Sequence, residues 1–163
     1  MIITALLLSA LFQDQVDSPE YKGWASFKPG STVTFKYIRE GSDQPGEQKI
    51  VLKSIDEQEA VLETEITING KVAGGRSMER KVPAKIPAAQ AGQKMKEGEE
   101  EIEVAGKKLK CKTREFEKKL PSGKTGSLRF WISDEIPGMV AKVETTTEGS
   151  PKITMTATGW EKK

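Results

Sequence analysis

The chain has 163 residues, 36% of them hydrophobic, which suits one ordinary domain with a core of moderate size. Its 26 basic and 24 acidic residues leave a formal charge of +2, so no long-range field favours nucleic acid or an anionic membrane. There is no histidine and only one cysteine, which excludes Ser-His-Asp and Cys-His catalysis, histidine or multi-cysteine metal centres, and an internal disulfide.

From Ile2 to Phe12 the chain carries no charge, and the first acid is Asp14. A helical membrane span needs about 20 apolar residues, so this run is too short to cross but fits the hydrophobic region of an export signal. The expectation is a leader over 1–13, ending at Ala10 or Gln13, and an exported domain over 14–163. The competing reading is a first apolar strand or helix. No cysteine follows the run, so no lipid anchor is expected there, and the location implied is periplasmic or extracellular.

Beyond residue 30 the pattern has period two and predicts strands. In Ser31 to Arg39, Val33, Phe35 and Tyr37 share one face. Gln48 to Ile55 and Ala60 to Ile68 follow, the latter with Ala60, Leu62, Thr64, Ile66 and Ile68 on one side. Asn69-Gly70 has the two residues that a type I′ hairpin turn requires, because both central positions take positive φ. Gly74-Gly75, Pro83 and Pro87 then predict a bulge or sheet edge. Ala88 to Met95 reads as a short helix with Pro87 in its first turn.

The most charged stretch runs from Glu97 to Arg114, acidic first and basic after. Folded about Ala105-Gly106 it becomes a hairpin with Glu103 facing Lys108, Glu101 facing Lys110, Glu99 facing Lys112, and Ile102 facing Leu109. Such a surface neutralises itself, and it excludes slipped registers more than it adds stability. This register also sets Glu100 against Cys111 on the apolar side, so either the ladder frays before Glu100 or the register differs there. Cys111 reads as a small buried residue, since a reactive thiol needs a base and the lysines point to the other face. Further strands are expected over Gly126 to Ser133, Met139 to Thr147 and Ile153 to Trp160. In the first of these Leu128, Phe130 and Ile132 alternate with Arg129, Trp131 and Ser133, so both faces have something to contact.

About eight to ten strands are expected, with at most one or two short helices. This suggests a mainly β protein with one curved antiparallel sheet, a half-barrel, and as alternatives a lipocalin-like barrel or a β-sandwich. The segments Trp24 to Ser31, Val104 to Cys111 and Trp131 to Gly138 resemble parts of uncharacterised exported bacterial β-domains. In architecture the pattern is similar to the lipoprotein-carrier half-barrels, which implies a hydrophobic small molecule or lipoprotein as partner, although fold does not fix function.

The function expected is an exported, non-enzymatic protein that binds an apolar or lipid-like ligand. The expected lining is Phe35, Tyr37, Leu62, Ile66, Phe130 and Ile132, with Trp131 and Trp160 near a mouth or outer groove. The same residues could equally form a filled core. The alternative is a structural or protein-interaction module of the cell envelope that meets an envelope protein through Trp24 and Phe27, whose other reading is an N-terminal segment sealing the sheet. The adjacent carboxylates Asp134 and Glu135 make a weak case for acid-base catalysis, and a turn explains them. No cofactor, metal, nucleic-acid partner or transmembrane segment after signal removal is expected.

Overall fold

The computed structural model describes residues 14–73, 76–88 and 95–163. The leader reading for 1–13, the Gly74-Gly75 interruption and most of the Ala88–Met95 helix therefore lie outside the described residues. Met95 itself begins a strand, not a helical turn.

In chain order the elements are β1 (Gln15–Asp17), α1 (Pro19–Ala25), β2 (Thr32–Arg39), β3 (Gly46–Ile55), β4 (Glu59–Ile68), β5 (Lys71–Val72), β6 (Met78–Pro83), β7 (Lys85–Pro87), β8 (Met95–Val104), β9 (Lys107–Lys119), β10 (Thr125–Ile132), β11 (Val140–Thr147) and β12 (Ser150–Glu161). Ten of the strands form one antiparallel sheet in the order β5-β4-β3-β2-β12-β11-β10-β9-β8, with β6 also on β4; β1 and β7 make a separate ribbon. The path has two ends, so the sheet curves without closing. The half-barrel is the observed form, and the barrel and sandwich alternatives are set aside.

The turns follow their chemistry. Asn69 and Gly70 have φ of 51° and 74°, as a type I′ turn between β4 and β5 requires. Ala105 and Gly106 take the same geometry, at 50° and 73°, and hold the β8–β9 hairpin in the expected register: Glu103 faces Lys108, Glu101 faces Lys110 and Glu99 faces Lys112. None of these three pairs is in direct ionic contact; the hairpin's ion pair is Arg114 with Glu97, at 3.2 Å. Pro83 and Pro87 each end a strand, at positions where a missing N–H costs no central ladder bond.

Among the described residues there is one α-helix, Pro19–Ala25, at a place where the sequence reading puts none. Its signal is present in Ser18-Pro19-Glu20: the Ser18 hydroxyl accepts from the Tyr21 N–H at 3.3 Å, proline occupies the first turn and an acid follows it. With seven residues and a glycine inside, the helix has too short an apolar stripe to be legible as periodicity.

The ribbon beside it is tied by Asp17, which meets both Lys22 and Lys85. Hydrogen bonds from Lys22 and then Lys85 lower its carboxyl from 3.8 to about 2. A depressed carboxyl pKa gives a contribution that is present above the unfolded value and lost as pH falls through the folded one. The β1–β7 ribbon should therefore loosen between about pH 4 and pH 2, seen as loss of amide protection at Val16 and Ile86; protection unchanged to pH 2 would contradict this.

Candidate functional site

Cross-strand neighbours share a face, so the register assigns every strand residue to one of two sides. On the first side Leu62 faces Leu52, Val33 faces Ile50, and Phe35 faces Ala157. These residues are buried, and α1 and the loop before β2 close over them with Trp24 and Phe27.

Toward the other end of the same strands this side is uncovered. Ile68 faces Gly46, which faces Tyr37, which faces Met155. Met155 faces Val143, and Val143 faces Phe130. One step along, Leu128 faces Phe116 and Phe116 faces Met95. The result is an apolar strip running laterally from β4 to β8. Apart from the buried Gly46, its residues are half-buried or exposed, with Tyr37 at 37% and Met95 at 40%. Phe116 and Phe130 meet edge to face with centroids 5.9 Å apart. Together with Leu120, Leu128 and the Thr145 to Thr147 segment they line an open groove of about 390 Å³.

On the second side the burial pattern is reversed. Here β2 to β4 show exposed or half-buried residues such as Lys49, Glu47 and Glu65, whereas β9 and β10 bury Leu109, Cys111, Thr113 and Trp131. The buried side of the sheet thus changes across its middle. A bulge at Ala141, where β10 passes from Trp131 to Ile132, and a second at Thr158 in β12 lie in this region, and bulges strengthen local twist.

Glu100 sits on the second side, and the ladder neither frays nor shifts around it: pairing continues without a break to Met95. Its carboxylate accepts from the Trp131 indole N–H at 2.8 Å and from Arg129 at 3.0 Å. Arg129 and Lys142 lie 4.6 and 4.5 Å from the centroid of the Trp131 ring. An acid on an apolar face is explained by a donor two strands away, a contact that hairpin register alone could not reveal.

The expected lining residues therefore separate. Tyr37, Ile66 and Phe130 belong to the open strip. Phe35 and Leu62 share its face but lie in the filled core, at 3% and 0% exposure. Ile132 is past the bulge, opposite Val140. Trp131, expected near a mouth, is buried on the opposite side, because its neighbours Arg129 and Lys142 cover the ring. Trp160 is half-buried under Lys107, 5.0 Å from its centroid. Trp24 and Phe27, expected as contact or sealing residues, are 2% and 8% exposed, Trp24 turned into the core by α1 and Phe27 by the loop that follows it. Asp134 and Glu135 occupy an exposed turn in which the Ser133 hydroxyl accepts the Glu135 N–H at 3.3 Å.

Cys111 is buried, and burial, then the Glu100 and Glu135 carboxylates, push its thiol above the ordinary range. Alkylation of the native protein at neutral pH should be at least about tenfold slower than of the urea-unfolded chain; equal rates would refute the packing described. Among the described residues no three Cys, Asp or Glu side chains converge on a point, and no helix is long and apolar enough to cross a membrane.

Fold and strip define an open half-barrel with an apolar strip left uncovered along one side of its sheet. No family model matches the chain, and no curated protein matches it. Solved structures similar to it include the complex structure of Pseudomonas aeruginosa MucA/MucB, at TM-score 0.49 and 12% identity over 86% of this chain and 54% of that one. Another is the crystal structure of MucB in complex with MucA(peri), at TM-score 0.49 and 14% identity over 89% and 55%. The chain spans about half the length of the chains it matches.

Proposed function

We propose that the protein is a non-enzymatic interaction module of the cell envelope, and that the strip between Tyr37 and Phe116 receives a protein segment. The observation that carries this is the strip itself: apolar side chains on adjacent strands, aligned by register and left open. Contiguous uncovered apolar surface is costly to a free protein and usually marks a contact site. The exported location rests on the uncharged run from Ile2 to Phe12.

A protein segment suits the groove better than a lipid does. Its volume lies near the lower limit of ligand pockets, roughly 300 Å³, and it is open along its length, so an acyl chain would stay partly wet. Thr145, opposite Leu128 on the strip's own side, lines the groove and offers a hydroxyl to a polar backbone. MucB is found in complex with MucA; the reading here stands on the strip alone.

A photo-crosslinking residue at Leu128, with Lys49 on the opposite side as control, tests the proposal in cells that express the full chain. A discrete protein adduct at Leu128 and none at Lys49 is expected. Only lipid adducts, or lipid retained in native mass spectrometry, would replace this reading with a carrier one. Equal adducts at both positions would remove the strip from consideration.

A further inference from the structure

The two ends of the sheet are protected differently. At one end β4 is covered by the two-residue β5 and by β6, which stops at Pro83; the next residue, Ala84, gives its N–H to Gln58 and accepts from Ser18. At the other end β8 runs for ten residues in unbroken register with β9, without proline or bulge. An antiparallel strand paired on one side turns the N–H and C=O of every second residue the other way. Among the described residues, no backbone hydrogen bond outside the ladders involves residues 95–104. These free groups are what an added strand would take up.

Charge says what that strand must carry. Glu97, Glu99, Glu101 and Glu103 occupy alternate positions on one face of β8, and among the described residues only Glu97 of the four is in an ion pair. A second copy of β8 laid antiparallel along this edge would set glutamate against glutamate, so the row opposes self-pairing. A strand with Lys or Arg at every second residue meets the row favourably. The chain already holds an example: Lys108, Lys110, Lys112 and Arg114 of β9 face the same four glutamates from the other side.

We infer that the free edge of β8 takes up a basic extended segment of a partner protein, with Lys or Arg at alternate positions. This deepens the interaction reading and rests on it. The first residue of β8, Met95, faces Phe116, so a strand added here lies at the open end of the strip and can continue into it.

The test uses the full chain and a synthetic ten-residue peptide that alternates lysine with valine or threonine, against a peptide of the same composition with its lysines clustered. Binding is read by fluorescence anisotropy, and its place by amide exchange. The alternating peptide should bind at least about tenfold more tightly than the clustered one, lose about tenfold in a Glu99→Lys/Glu101→Lys chain, and protect amides within 95–104. The milder Glu101→Gln chain should fall between them, which covers the case of a poorly folded double variant. Equal binding by both peptides or by the charge-reversed chain, or protection elsewhere, overturns the inference. If the peptide fails while Leu128 still crosslinks to a protein, the edge is wrong and the strip stands. Peptide binding with no protein adduct at Leu128 gives the reverse.

Discussion

A Gly138→Ala chain should be less stable than the parent by about 2–5 kcal/mol in urea unfolding. Two costs combine. Gly138 has φ of +81°, where an L side chain costs about 1–2 kcal/mol. A Cβ there would also lie 3.0 Å from two ring carbons of Trp24, which is itself buried and has no free direction to move. Overpacking of this kind costs about 1–3 kcal/mol. The backbone is held as well, since the Gly138 N–H donates to the Gly23 carbonyl at 3.0 Å. Gly41 is the natural control: its φ is +77°, but a Cβ would meet nothing within 4 Å. Gly41→Ala should show the backbone cost alone, about 1–2 kcal/mol. If the two variants lose the same amount, the contact between α1 and the loop before β11 is not what the glycine serves.

Truncation of Trp131 should be the most damaging change in the second half of the sheet. Trp131→Ala removes a large buried side chain, and losses of about 3–5 kcal/mol are usual. Trp131→Phe keeps most of the packing but removes the N–H that Glu100 accepts, and about 1 kcal/mol is expected from that. Glu100 is half exposed, so its own share belongs at the low end. A double-mutant cycle with Glu100→Ala and Trp131→Phe isolates the pair, and a coupling of about 1 kcal/mol is the expected value. No coupling would mean that Glu100 is held only by its strand position.

Much of this fold was legible in the sequence for local reasons. Asn69-Gly70 specifies its turn by itself, and the row of alternate glutamates followed by alternate basic residues around Ala105-Gly106 points to a hairpin with opposite charges facing. The features that escaped are those in which distant segments meet. Trp24 reads as either a sealing or a contact residue until Gly138 is seen against its ring. Glu100 reads as a misfit because its donors, Arg129 and Trp131, lie about thirty residues on. Tyr37 and Phe130 share the face of Phe35 and Leu62, while Trp131 points to the other side, and period-two patterns carry no information about where along a strand the cover stops. That limit separates buried Phe35 from exposed Tyr37, two residues apart on β2.

The change of buried side across the sheet bears on how the molecule breathes. In β4 the core holds Ala60, Leu62 and Thr64, and in β9 it holds Leu109, Cys111 and Thr113, whereas β11 and β12 contribute one fully buried residue each, Ala141 and Ala157. All of these belong to one continuous cluster, so the middle strands are the thinnest part of a single core, and local opening there has fewer buried contacts to break than around Leu62 or Leu109.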